Sequence, residues 1–231
     1  IAGRTDGSVN GCLNEGRITV EVTESGSVSG GGITGDCNGK NIRITGCINR
    51  GKLSGNSTSY KTEGISLAGI VGTNFSGSTI NNCLNEGEVN VRFSSSQTVY
   101  SPFSAAGITT SNYGLVINSG NTGRIAVQSD MKATVGGISS HNSGSIVNSY
   151  NIGAIACNGR KGQTFYNNGG GITGVFQYST IGITPLIYGC YNSGTVSSTG
   201  SEEQIGSIAG DASYLIDKYN VPTRIRNTYY S

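Results

Sequence analysis

Apolar residues come back along this chain at a long, nearly fixed distance. In the stretch from Ala68 to Val91, AGIVGTNFSGSTINNCLNEGEVNV, a glycine-flanked Ile70 is followed by Ile80, then by Asn85-Glu86-Gly87 and the alternating pair Val89/Val91. The phrase recurs, whole or shortened. Its first apolar position is Ile1, Ile33, Ile70, Ile108, Ile138, Ile172 and Ile208, and its second is Val9, Ile44, Ile80, Val116, Ile146, Ile187 and Ile225. Asn14, Asn49, Asn85, Asn121, Asn151 and Asn192 stand 35, 36, 36, 30 and 41 residues apart, each with glycine two positions on. After Asn-x-Gly, pairs such as Ile18/Val20, Ile125/Val127 and Ile155/Cys157 alternate with other residues, the period-two pattern of a strand with one buried face.

A period of this size with variable insertions marks stacked units that bury their apolar faces against one another. Each unit reads as three strands: a short one at the leading isoleucine, a middle one carrying the Val/Ile series, and a third after Asn-x-Gly. Helix does not compete, because β-branched residues set among Gly and Asn are poor helix formers. The expected fold is all-β, a parallel β-helix (β-solenoid) of six to seven coils of roughly 36 residues, right-handed by the general preference of parallel crossovers. It forms one domain over residues 1–231. Like residues then lie about 4.8 Å apart along the axis, and Ile33, Ile70, Ile108, Ile138 and Ile172 become an inward ladder. The segments Gly55 to Ser66, Arg92 to Ala105, Asn158 to Asn168 and Ser198 to Gln204 read as insertions gathered on one face, and Val175 to Leu186 as a lengthened turn.

Charge tests the register. If the units stack in line, Glu15–Arg50–Glu86 and Lys52–Glu88–Arg124 form ladders of alternating sign, with Arg17 beside Lys52 the one like-charge step. Their main effect is to disfavour a slipped register. The rest of the composition agrees with a turn-rich β protein: 38 glycines, three prolines, no tryptophan and only 12% charged residues. With a net charge of +2 and scattered basic residues, nothing resembles a nucleic-acid footprint. No apolar run is long enough to span a membrane. The chain opens inside one repeat at Ile1-Ala2-Gly3 and stops inside another at Asn227 to Ser231, so a segment of a longer repeat protein is expected.

Four of the six cysteines, Cys12, Cys47, Cys83 and Cys190, share one repeat position that holds Ser119, Ser149 and Thr228 elsewhere. Exchange with serine favours a ladder of small free thiols over disulfides between neighbouring coils, whose parallel side chains suit a bridge poorly. Cys157 takes an inward valine position, and Cys37 stays unexplained. No C-x-x-C occurs, so no zinc site and no other metal is expected. The asparagine series has a structural explanation in turn backbone and stacked amides.

Catalytic chemistry is sparse. His141, the single histidine, reads as an exposed turn residue, and metalloprotease chemistry needs two. Asp6, Asp36, Asp130, Asp211, Asp217, Glu202 and Glu203 allow one carboxylate contact, Asp6 with Asp36, where sugar-cleaving β-helix enzymes use carboxylate pairs. No enzyme and no cofactor is expected. Tyr60, Phe93, Tyr100, Phe103, Phe165 and Tyr166 fall in the insertions, where aromatic faces fill the core of that side or meet a sugar ring. Tyr150, Tyr191 and Tyr229 share one repeat position with Leu13, Ile48 and Leu84, and read as core or groove packing.

The pattern Gly-Ile-x-Gly, then Gly-Ser-Ile/Val-x-x-Cys/Ser-Tyr/Leu-Asn-x-Gly-x-Val, resembles the GLUG repeat of large bacterial surface proteins, also found beside the catalytic domain of some IgA-cleaving metalloproteases. Ala68 to Gly72 with Gly77 to Val89 is the nearest copy, followed by Gly136 to Ile155 and Gly170 to Val196. The pattern loses its final glycine at Thr110 and Ser140 and departs again at Gly206-Ser207-Ile208. The resemblance implies an exported protein on a bacterial cell surface and brings no catalytic residue. Three functions follow as expectations: an adhesin-like segment meeting a host glycan or surface protein; a stalk or fibre built by end-to-end self-association; and, last, a polysaccharide-acting enzyme.

Overall fold

A computed structural model describes residues 2–39, 41–95, 103–159, 166–177, 184–200, 202–212 and 224–230. They are all-β, and none forms a helix long and apolar enough to cross a membrane. Each of the first six turns lays down five strands where three were expected, and the described residues of the seventh form three. In the second turn these are Thr34–Cys37, Arg43–Thr45, Ile48–Asn49, Leu53–Ser57 and Thr62–Ala68. Every strand pairs in parallel with its equivalents one turn earlier and later, giving five sheets, three of seven strands and two of six. The architecture is the expected β-solenoid. Register follows the repeated letters: Ile80 lies between Ile44 and Val116, Asn85 between Asn49 and Asn121, and Val89 between Leu53 and Ile125.

Two departures from the sequence reading concern the path of each turn. The leading isoleucines sit at the corner between the fifth and first sheets, not within a strand; Ile108 N–H donates to Ile138 O at 3.1 Å and Ile138 N–H to Ile172 O at 2.9 Å across this corner. Among the described residues, the stretches read as loop insertions are largely strand. Gly55 to Ser57 completes the fourth-sheet strand and Thr62 to Ser66 belongs to the fifth, leaving only the tip at 58–61 as turn. The fifth-sheet strands escaped notice because they share no repeated letters: Gly26–Gly31 is GSVSGG, and its relatives read TEGISLA, FSAA, ATVG, YNNGG and EEQIG.

The corner between the second and third sheets is left-handed. Gly11, Gly46, Asn82, Asn118, Asn148, Gly189 and Asn227 hold it, with φ of 63, 61, 54, 52, 46, 63 and 49°. Only glycine and asparagine occur there, as the steric cost of this region for other L-residues requires. The next residue is the Cys/Ser position. Cys47 and Cys83 thiols donate to the carbonyls of Thr45 and Asn81, each at 3.4 Å, and Ser119 and Ser149 hydroxyls to Ile117 and Val147, each at 2.9 Å. The slot asks for a small donor that ties off the corner, which is why thiol and hydroxyl exchange. All six cysteines are free.

Inside, the apolar residues form two separate cores. One gathers Ile33, Ile44, Ile70, Ile80, Ile108 and their equivalents; the other gathers Leu53, Ile65, Leu67, Val89, Phe93, Phe103 and theirs. The asparagine ladder runs between them. Asn49, Asn85, Asn121 and Asn151 are fully buried, and each Nδ2 donates to the Oδ1 of the next turn's asparagine at 2.7–2.8 Å. The second Nδ2 proton goes to the glycine carbonyl two residues on, at 2.8–3.0 Å. Across the interior the glycine before each corner isoleucine presses on these amides: a Cβ on Gly32 would stand 2.6 Å from Asn49 Oδ1, and Gly69, Gly107, Gly137 and Gly171 meet their asparagines just as closely. The cross-section is pinched at this line. On the outside of the pinch the fifth and first sheets meet through small residues, with a Cβ on Gly72 2.5 Å from Ser29 Oγ and one on Gly174 2.8 Å from Thr134 Cγ2.

A second, shorter amide ladder lies in the first sheet. Asn74 donates to Asn112 at 2.8 Å and Asn112 to Asn142 at 2.7 Å, all buried. Cys37 occupies the preceding level and Phe176 the following one, so Cys37 is a stop of this ladder and Asn74 Oδ1 is left without a hydrogen-bond partner.

The ladder makes a measurable demand. Asn121→Ala removes the donor to Asn151 Oδ1 and the acceptor of Asn85 Nδ2, and is expected to cost about 1–3 kcal/mol for each group left unpartnered. Urea unfolding checks this; a loss within about 0.5 kcal/mol, as at an ordinary surface site, would deny the ladder its role.

Candidate interaction surface

The aromatic residues expected on a binding face divide. Phe93 and Phe103 are buried and stack on each other inside the second core, with ring centroids 4.2 Å apart and planes at 16°. No ligand reaches them; they fill the space that smaller residues fill in other turns, and the ligand-contact reading is withdrawn for both. Tyr60 is 52% exposed at the 58–61 tip, with Lys61 Nζ 5.8 Å from its ring centroid. Tyr100 and Phe165 lie outside the described residues, as does the side chain of Tyr166, whose backbone opens the strand Tyr166–Gly170.

The tyrosines read as packed are the outward ones. Strand alternation forces this: because each asparagine of the long ladder points in, the residue before it points out. Leu13, Ile48, Leu84, Gly120, Tyr150, Tyr191 and Tyr229 are consecutive levels of one outer column of the third sheet. Tyr150 and Tyr191 are each 38% exposed and Tyr229 66%. Two residues back, on the left-handed corner, stand the exposed amides Asn118, Asn148 and Asn227, with Gly189 at the remaining level. Tyr188, also exposed, lies beside this corner on the second sheet and accepts a hydrogen bond from Asn227 Nδ2 at 3.3 Å. The signal for this surface was in the repeat itself, in the Tyr/Leu-Asn dipeptide and its parity.

Charge is unevenly spread along the same edge. In the early turns Arg50 Nε meets Glu86 at 2.6 Å and Arg50 Nη1 meets Glu15 at 3.7 Å; Lys52 meets Glu88 at 2.7 Å and Arg124 meets Glu88 at 3.6 Å. Both expected ion ladders are therefore present, and Glu86, then Glu15, holds the Arg50 guanidinium above its ordinary range. In the later turns the equivalent positions are Ile152 and Ser193, then Ala154 and Thr195.

Elsewhere the residues considered for catalysis are accounted for structurally. His141 is half-buried within the strand Ser139–Asn142 rather than exposed on a turn. Burial, and then the nearby Lys132 charge, lowers it to about 4, so it is neutral at physiological pH. Ser140 Oγ lies 3.3 Å from its Nδ1 but gives its proton to Thr110 O at 2.6 Å. Asp6 and Asp36 do not share a level: Arg4 lies beside Asp36, Asp6 pairs with Arg4 at 3.6 Å, and Asp36 accepts from Ser29 Oγ at 3.3 Å. Asp211 stands level with Val175, and Asp130 accepts from Ser94 Oγ and Ser95 N–H. Asp217 and the side chain of Glu202 lie outside the described residues. Among the described residues no three His, Cys, Asp or Glu side chains are grouped to hold a metal ion. No family model, curated protein or solved structure matches this chain.

Buried thiols give this charge-poor molecule a pH dependence. Burial, the largest cause in each case, pushes Cys83 and Cys157 up to about 12 and Cys190 to about 11. An unfolded thiol titrates at about 8.5. The native state thus keeps protons that the unfolded chain loses, so this contribution to stability is complete below about 8.5 and falls as pH rises toward 11–12. The urea midpoint should drop between pH 8 and pH 11, and drop less in Cys83→Ser/Cys190→Ser, which keeps the corner donor. At neutral pH a thiol reagent should label half-buried Cys12 on the folded protein and the five buried cysteines only after unfolding; rapid labelling of all six would contradict the packing.

Proposed function

We propose that the chain is a non-catalytic, adhesin-like segment of a secreted or cell-surface bacterial protein, and that it binds a glycan or protein ligand through one outer face of a rigid solenoid. The observation that carries this reading is the third-sheet edge, where three successive turns present the outward rings Tyr150, Tyr191 and Tyr229, with the exposed amides Asn148 and Asn227 beside the first and third, on strands fixed from behind by the buried asparagine ladder. Binding groups on a stiff scaffold lose little conformational freedom on engagement. Resemblance to GLUG repeats supports the extracellular setting. The binding face moves from the 58–61 type of tip to the tyrosine edge, since the described parts of the segments first read as insertions are mostly structural strand.

Beads coated with the chain should adhere to a glycosylated cell surface, and Tyr150→Ala/Tyr191→Ala should lower adhesion at least tenfold while leaving the thermal transition in place, because both side chains are outward. Equal adhesion by the parent chain and the double variant would remove the edge as the binding face.

A further inference from the structure

The later turns of the third-sheet edge have a chemistry that selects among ligands. On the basis of the binding-module reading, and narrowing its ligand, we infer that this edge takes an uncharged, extended polysaccharide of equatorially linked pyranose rings. The polymer lies along the solenoid axis, with ring faces on Tyr150 and Tyr191 and hydroxyl edges on the Asn148 side.

The orientation of Tyr150 comes first. Its level in the preceding turn is Gly120, and a Cβ placed there would collide with Cζ and Cε1 of the Tyr150 ring and stand 2.6 Å from its hydroxyl. The ring therefore lies across the glycine backbone, with one side against the protein and the other toward solvent. Such a half-covered ring is a platform for the apolar C–H face of a sugar, and its phenol hydroxyl supplies a hydrogen bond at the rim.

Spacing comes second. Tyrosine levels follow the strand separation of about 4.8 Å, comparable with the length of one pyranose residue in an extended chain, so successive sugars meet successive turns. One exposed amide, Asn148, flanks the pair, because Gly189 stands at the Tyr191 level. Asn148 exposes a carboxamide whose Oδ1 lies 2.5 Å from where a Cβ on Gly189 would be, so that glycine leaves the amide its place. A carboxamide both donates and accepts, which suits sugar hydroxyls whatever their orientation.

Charge comes third and excludes most alternatives. The alternating ions at Glu15, Arg50, Glu86, Lys52, Glu88 and Arg124 end where the tyrosines begin. Arg226, level with Tyr188, is the one charged residue bordering the edge among the described residues of its column. An anionic polymer would lack partners along the run. A protein ligand would need a pocket for an anchoring side chain, and this edge is an open ribbon.

Affinity electrophoresis tests the inference, with the parent chain run through gels containing hydroxyethylcellulose, glucomannan, xylan, dextran or polygalacturonate. Expected is retardation by at least one of the first three and by neither dextran nor polygalacturonate. Tyr150→Ala/Tyr191→Ala should weaken it at least tenfold. Gly120→Ala should weaken it several-fold with the thermal transition within a few degrees, since the three atoms nearest the added methyl all belong to the movable Tyr150 ring. Absence of retardation in every neutral gel, retardation only by polygalacturonate, or binding indifferent to Gly120→Ala and to the tyrosine pair would overturn it. If beads still adhere through the tyrosines to a deglycosylated surface, or if sedimentation shows tyrosine-dependent self-association, the binding-module reading survives and the glycan inference fails. If adhesion is also absent, both fail.

Discussion

The structure depends on a chain of primary amides that runs through its middle. Asn49, Asn85, Asn121 and Asn151 each give one proton up the axis and one to their own turn, and receive one from the turn below, so a polar residue sits fully buried at little net cost. Nothing else at that position meets those three demands together. Aspartate would bring an unpaired charge, leucine would leave two neighbours orphaned, and serine is too short to reach across about 4.8 Å between levels. Because the facing glycines close against the amides, the same residues also divide the interior into two cores and bend the wall inward. Register, cross-section and the outward placement of the tyrosines all follow from this one contact.

A corollary is that small polar residues do much of the work usually left to hydrophobic ones. The Cys/Ser position closes the left-handed corner by donating to a backbone carbonyl, and the fifth-to-first seam packs serine and threonine against glycine. Two of the observed hydroxyl contacts in this seam, Thr110 to Gly72 O and Ser140 to Thr110 O, are as short as 2.6 Å. This is consistent with a chain of low charge and modest apolar content that nevertheless buries two cores along its length.

Much of this was legible from the letters alone. Ile33, Ile70 and Ile108, or Asn49, Asn85 and Asn121, announce stacked parallel coils because identical residues at a long period have no other common environment. The ion ladders at Arg50 and Lys52 gave register without coordinates. What escaped was whatever lacks a hydrophobic signature. Fifth-sheet strands such as Thr62–Ala68 fell partly inside stretches read as insertions, and the short ladder of Asn74, Asn112 and Asn142 is one residue type among many polar ones. Phe93 and Phe103 were placed by neighbourhood in sequence, whereas inward parity on their strands decides that they are core. The tyrosine edge was missed in the opposite sense: sharing a position with leucine and isoleucine suggested burial, yet the asparagine beside it had already claimed the inner face.

Turn length varies while the amide stack does not break. Consecutive asparagines are bonded across separations of 35, 36, 36, 30 and 41 residues with essentially one geometry. Slack is taken up between strands, and each level sees only the level on either side. Duplicating or excising one entire coil would therefore present every remaining residue with a neighbour of the kind it already has, whereas a single-residue insertion inside a strand would turn its inner face outward. Such a molecule can change its reach in whole-coil steps by unequal recombination, without its interior having to be reinvented.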